Sequence, residues 1–179
     1  MSTRLVLLGL LRERPLYGYE LKQIIEEHMG DWTNIAFGSI YFALNKLADE
    51  GFIEQVATEQ EGNRPSRTVY QITHAGRAEF LSQLKQVWRT FQQQYFDLDI
   101  ALFFMDALPP DEVRSCLRAR VAQLEQVVAH LNVHQGEEMS KPEVPARAAA
   151  IFDHARRHIA AELAWTQDLL AKVEQGFYS

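Results

Sequence analysis

Residues 37–73 constrain the fold more than any other stretch of the chain. A short helical pattern, Gly38 to Asp49, runs directly into two strand-like segments, Phe52–Thr58 and Arg67–Thr73. Between the strands stands Gly62-Asn63-Arg64-Pro65-Ser66-Arg67, rich in turn residues and marked by two arginines. At roughly 100° per residue, Ile40, Leu44 and Leu47 fall within about 60° of one another, with Ala43 and Ala48 beside them. Phe42, Asn45, Lys46 and Asp49 fall opposite, and Ser39 and Tyr41 flank the border. An outward Phe42 is costly in water and is expected to touch another part of the protein or a base edge. Gly51 ends the helix. A helix followed by a basic-tipped hairpin is how a winged helix-turn-helix reaches DNA. The helix enters the major groove, and the tip meets phosphates or the neighbouring minor groove.

The segments before this stretch supply the rest of a three-helix head. Leu5–Leu11 is apolar almost all round, so a helix there must be buried on more than one side, and Pro15 ends it. Tyr17–Met29 carries Leu21, Ile24 and Ile25 at helical spacing, with Gly30 suited to its C-terminal cap. Ser39 is placed to act as a capping hydroxyl near the start of the third helix. The first strand shows only a weak alternation in Phe52, Ile53 and Val56, and the second carries Val69 and Ile72 with Tyr70 between. Thr73 is a plausible N-cap for a helix bearing Ala78, Leu81, Leu84, Val87 and Trp88.

After about residue 85 the pattern is helical only. Gln92-Gln93-Gln94 marks a bend, and Asp97–Leu108 continues helically. Pro109-Pro110-Asp111-Glu112 reads as a helix start, with prolines in the first turn and acids at its positive end. Val113, Leu117, Val121, Leu124, Val128 and Leu131 form a heptad-like seam. A polar break runs from Gly136 to Pro145. The last helix repeats the spacing with Phe152, Ala155, Ile159, Leu163, Thr166, Leu170 and Val173. Two long helices with narrow seams are built to pack on each other and on a second chain. The expected fold is mainly α. A winged helix-turn-helix of three helices and a two-stranded wing occupies residues 1–85, and an all-helical dimerisation domain occupies residues 86–179.

Charge and cysteine usage narrow the function classes. A net charge of −6 argues against non-specific polyanion binding over the whole surface. Even residues 1–85 hold 9 basic against 11 acidic side chains. Locally the balance reverses: from Gly62 to Ala78 the charges are Arg64, Arg67 and Arg77, with no acid. A dimer that doubles the contacts eases the remaining deficit. The lone Cys116 excludes an internal disulfide framework and fits a reducing cytoplasm; a packing or surface role is its default. No apolar run is long enough for a membrane span.

Several motifs now stand in one order. They are Tyr17-Gly18-Tyr19-Glu20-Leu21, Gly38-Ser39-Ile40-Tyr41-Phe42-Ala43-Leu44, Glu50-Gly51-Phe52-Ile53, the arginine-bearing wing, Tyr70-Gln71-Ile72-Thr73 and Ala75-Gly76-Arg77. Together they resemble the PadR family of bacterial transcriptional regulators across residues 5–80. The C-terminal half is similar to the helical dimerisation domain of the longer members, a class that includes virulence activators. The resemblance implies a homodimer that binds a pseudo-palindromic double-stranded DNA operator, usually as a repressor. In some relatives it answers to phenolic acids or hydrophobic drugs. Many relatives carry a more basic wing, often with lysine after the second arginine; here Thr68 stands there.

The candidate site residues each carry two readings. Asn63, Arg64 and Arg67 are proposed phosphate or minor-groove contacts, or else solvated surface. Ser39, Tyr41, Asn45 and Lys46 are proposed to face the groove. Asn reads adenine, Lys reads guanine or phosphate, and hydroxyls hold phosphates. Tyr41 and Tyr19 serve equally as packing residues. Trp88, Phe91, Tyr95, Phe96, Phe103, Phe104 and Trp165 are candidate walls for a small aromatic or hydrophobic effector, or else core and dimer packing. The pairs His130/His134 and His154/His158 are each spaced for one helix face, but solvated or interface histidines are the better reading. No cofactor, metal or enzyme activity is expected. A winged-helix scaffold that binds protein rather than DNA is the alternative.

Overall fold

The apolar first segment folds as expected, and the architecture builds outward from it. The computed structural model describes residues 2–30, 32–59, 67–140, 144 and 146–177, apart from the side chains of residues 2, 58, 59 and 67. The chain forms two compact units, Met1–Gln93 and Gln94–Ser179. In the first, helix α1 (Ser2–Leu11) buries Leu7, Leu8 and Leu11 completely or nearly so, with Leu5, Val6 and Leu10 half-buried around them. Strand β1 (Leu16–Tyr17) follows, then α2 (Gly18–Met29) and α3 (Phe37–Asp49). Strands β2 (Ile53–Glu59) and β3 (Arg67–Ile72) form the wing, and α4 (His74–Arg89) closes the unit.

The sheet has three antiparallel strands in the order β1-β3-β2, one more than the two-stranded wing expected from the sequence. Leu16 pairs with Tyr70 and Tyr17 with Val69. In β2 the register shifts between Gln55 and Ala57, so Val56 is the extra, exposed residue of a bulge. This explains the weak alternation along β2. In β3 the inward face is Tyr70 and Ile72, two residues apart; Val69 lies on the other face.

Local signals set the helix ends. Glu20 Oε2 accepts from the Tyr17 amide at 2.8 Å, which holds the entry to α2. Gly30 does follow α2, but in ordinary right-handed conformation, so its conformational freedom is not used. Gly51 does use it, at φ +75°, to turn the chain from α3 into the wing. Thr73 caps α4 by accepting from the Gly76 amide at 3.1 Å. The sequence seam of α4 needs correction. Its buried side chain is Phe80, while Leu81, Val87 and Trp88 are exposed.

The second unit holds α5 (Asp97–Phe103), a 3-10 turn (Met105–Ala107), α6 (Pro110–Met139) and α7 (Ala148–Glu174). Helix α6 runs through Gly136 to Met139, four residues further than the polar composition suggested. Helices α6 and α7 lie antiparallel, joined by Arg118–Glu174 at 2.6 Å and Arg120–Glu162 at 2.7 Å. Val113, Leu117, Leu169 and Val173 are buried between them. Leu169 occupies the inward position that the seam gave to Leu170, which is half-buried. Thr166 is fully buried and satisfies its hydroxyl on the Glu162 carbonyl at 2.8 Å.

Candidate nucleic-acid interface

Helix α3 divides its residues between core and solvent. Ile40, Ala43, Leu44 and Leu47 are buried against α1, α2 and the sheet. Phe42, Asn45, Lys46 and Asp49 are exposed on the opposite side, with Phe42 at 72%. Tyr41, 38% exposed, sits at the border, and its ring lies where a Cβ on Gly18 would come within 3.0 Å. A glycine at the start of α2 therefore lets the Tyr41 ring lie close against it. Burial, then the nearby Tyr41, raise the Tyr70 hydroxyl above its ordinary value, so it stays protonated.

The N-terminal end of α3 is open. Ala36 is its N-cap and offers no side-chain acceptor, and no acidic residue stands in the first turn. Ser39 does not cap the helix amides; its hydroxyl donates to the Ala36 carbonyl at 2.6 Å. The positive helix end is thus left for an external anion. Lys22 of α2 stands beside it, its Nζ 4.7 Å from the centre of the Phe37 ring and 6.0 Å from that of Tyr19. Phe37 meets Tyr41 edge-on at 5.2 Å, and Tyr19 is 62% exposed. Sequence reasoning named Tyr19 but missed Lys22 and Phe37. The available signal was the three-residue spacing of Tyr19 and Lys22, which puts both on one face of α2.

Charge on the outer face of α3 nearly cancels. Lys46 is offset by Asp49, and Glu50 is held by Arg4 at 2.6 Å. The Arg4 hydrogen bond keeps the Glu50 carboxyl below its usual range. Positive charge for phosphates is left chiefly to the wing. Asn63 and Arg64 lie outside the described residues, as does the Arg67 side chain; the Arg67 backbone opens β3, paired with Glu59.

In the second unit Trp165 lines an open cleft of about 310 Å³ with Leu102, Met105, Asp168, Leu169 and Lys172. Tyr95 and Phe103 do not line it, and stand exposed, as do Trp88 and Phe91 in the first unit. The rings of His130 and His134 stack at 5.8 Å, and His154 and His158 approach to 3.2 Å between Nε2 atoms. Among the described residues no three His, Cys, Asp or Glu side chains form a group fit for a metal ion. Cys116 is exposed. No helix among the described residues is long and apolar enough to cross a membrane.

Three packed helices, a short third strand and a two-stranded wing define a winged-helix protein. The chain matches the family model "Transcriptional regulator PadR-like family" over residues 7–82, within the first unit. It is 23% identical to the negative transcriptional regulator PadR of Bacillus subtilis (strain 168), over 94% of this chain and 96% of that one. The crystal structure of Bacillus subtilis PadR in complex with operator DNA shares the fold at a TM-score of 0.80 and 21% identity, covering 97% of this chain and 99% of that chain. The same regulator in complex with p-coumaric acid matches at 0.79 and 20% identity, covering 96% and 98%. The virulence activator AphA of Vibrio cholerae matches at 0.76 and 20% identity, covering 97% and 99%.

Proposed function

We propose that this protein is a sequence-specific DNA-binding regulator that represses transcription as a homodimer on a pseudo-palindromic operator. The observation that carries this reading is the two-sidedness of α3: one face fully packed, the other presenting Phe42, Asn45 and Lys46 to solvent. The wing strands lead from that helix to Arg64 and Arg67. Tyr19, Ser39 and Tyr41 are the residues we assign to a phosphate at the open end of α3. Support comes from Bacillus subtilis PadR, which has the same fold and was solved with operator DNA.

Dimerisation is supported by the run of aromatic side chains that a single chain leaves in water. Trp88 is 83% exposed and Phe91 90%, and Phe96, Phe103 and Phe104 are also exposed. A second copy of this chain is the partner we assign to them. Control by a small aromatic or hydrophobic effector is the regulatory part of the proposal. The Trp165 cleft offers an aromatic wall and the Lys172 cation, and the Bacillus subtilis relative was solved with p-coumaric acid. A ligand that favours one dimer geometry shifts the population and so the operator affinity.

The test is selection of genomic fragments by the purified protein, followed by titration of the retained duplex at rising salt. Affinity should fall steeply with salt. The double change Arg64→Ala and Arg67→Ala should abolish binding and leave the dimer mass unchanged. Retention of no duplex above background, or binding indifferent to both salt and the arginines, refutes the reading and favours a protein-binding scaffold.

A further inference from the structure

We propose that Phe42 reads a thymine in each half of the operator, by packing its ring on the C5-methyl group in the major groove. The proposal rests on the operator-binding reading above and deepens it from a surface to a base.

Phe42 is the largest side chain on the outer face of α3, and it is 72% exposed. The other two exposed aromatics of this helix have partners: Phe37 meets Tyr41 and Lys22, and Tyr41 lies against Gly18. Among the described residues no ring or cation stacks on Phe42. Its neighbours on the helix surface are Gly38, Ser39, Asn45, Lys46 and Asp49, all within about 60° of it at 100° per residue. None of these is a large apolar group able to cover it. Phe42 therefore sits at the centre of the face, where a helix in a major groove comes nearest to the bases.

The surrounding geometry keeps that face accessible. One turn before Phe42, Gly38 has open space where a Cβ would stand, with nothing within 4 Å. Internal packing gives no reason for glycine at this first-turn position. It removes bulk on the side from which the duplex approaches.

Base chemistry then selects the target. In the major groove the thymine edge alone among the four unmodified bases carries a methyl group, and it is read by apolar contact. Asn45, less than one turn further on, carries an amide able to bond adenine at N6 and N7. A turn advances about 5.4 Å and a base step about 3.4 Å, so the two side chains reach bases one or two steps apart. The expected half-site holds a thymine next to, or one step from, an adenine.

The experiment uses the full chain and the duplex obtained from genomic selection. That duplex is amplified with either thymidine or deoxyuridine triphosphate, then resynthesised with single thymine-to-uracil replacements. Loss of one methyl contact, about 0.8 kcal/mol, is about fourfold in affinity. Wild type should lose about fourfold at one thymine in each half-site, and Phe42→Ala should lose less than twofold at the same position. Phe42→Leu, which keeps an apolar contact, should retain sensitivity to the methyl. Unchanged thermal melting of both variants confirms the fold. Amplified DNA contains no methylcytosine, so sensitivity in that material assigns the methyl to thymine. Tight binding with no effect of uracil at any position overturns the proposal and leaves operator binding standing. An equal loss in wild type and Phe42→Ala also overturns it, as does a Phe42→Ala change that alters the oligomer mass rather than base preference. Absence of any duplex binding overturns both readings.

Discussion

A Cβ on Gly76 would stand 1.9 Å from the carbonyl oxygen of Phe52. The backbone of α4 approaches the start of the wing so closely that only glycine fits. The Phe52 oxygen is not free to move away, because it accepts the Thr73 amide at 3.0 Å. Gly76→Ala should therefore separate α4 from β2 and destabilise the first unit by about 3 kcal/mol or more, beyond ordinary overpacking, because the obstruction is backbone. Denaturant unfolding checks this; a loss below 1 kcal/mol would mean that the junction yields easily.

The same junction depends on one hydroxyl. Thr73 Oγ1 accepts from the Gly76 amide at 3.1 Å and lies 2.8 Å from the Gly51 carbonyl, to which it donates. Thr73→Ala removes the cap of α4 and its tie to the left-handed Gly51 turn together. The expected loss is about 1–2 kcal/mol, at the upper end for a cap. Thr73→Ser keeps both bonds and should recover most of it, which separates the hydroxyl from the methyl group in a melting series.

These features differ in how far they could be read beforehand. The faces of α3 were legible because thirteen residues give several repeats of the 3.6 period, and the buried stripe matches it residue for residue. Gly51 and Thr73 were legible because turn and cap chemistry is local. β1 was not, since two residues carry no period and their pairing comes from β3, more than fifty residues later. Val56 misled because a bulge breaks the alternation that would have marked its strand. On α4 the four-residue step from Gly76 to Phe80 marks the inward line, and it passes unnoticed because glycine has no side chain to count. The contact of Lys22 with Phe37 joins two helices, and no spacing within either helix encodes it. Exposed aromatics from Trp88 to Phe104 read equally as core, pocket or interface, because hydrophobicity alone names no partner.

Acid should weaken the first unit through Glu50. The Arg4 hydrogen bond lowers its carboxyl below the ordinary 4.5, with the charges of Arg4 and Lys46 adding to it against some desolvation. A carboxyl with a depressed folded value contributes stability above its unfolded pKa and loses that contribution as pH falls through the folded value. Glu50→Gln should thus lower the melting temperature modestly at pH 7, the modest size reflecting an exposed pair. The gap between the two proteins should narrow below about pH 4.5. A gap that stays constant down to pH 2 would assign the effect to packing of Arg4 on Phe52, whose ring centre lies 5.6 Å from the guanidinium carbon.

Affinity and discrimination should separate onto different residues. On α3 the Lys46 cation is countered by Asp49, and Glu50 is occupied by Arg4, so the helix offers hydrogen bonds and shape with little net charge. The wing carries Arg64 and Arg67 with no acid between them. Counterion release depends on phosphates neutralised, so losing one such contact reduces the salt slope by about one. Removing either arginine alone should reduce it by about one per chain, whereas removing both abolishes binding. Asn45→Ala should leave the slope unchanged and relax preference at one base pair per half-site, by about 1–3 kcal/mol. Lys46→Gln distinguishes the two roles of lysine: a slope reduced by one places its ammonium on phosphate, and an unchanged slope with altered preference places it on guanine. Titrations of the selected duplex and of a scrambled one, each across a salt series, measure slope and preference together. If Asn45→Ala weakens the selected and scrambled duplexes equally, Asn45 reads no base and the recognition assigned to it belongs to another residue.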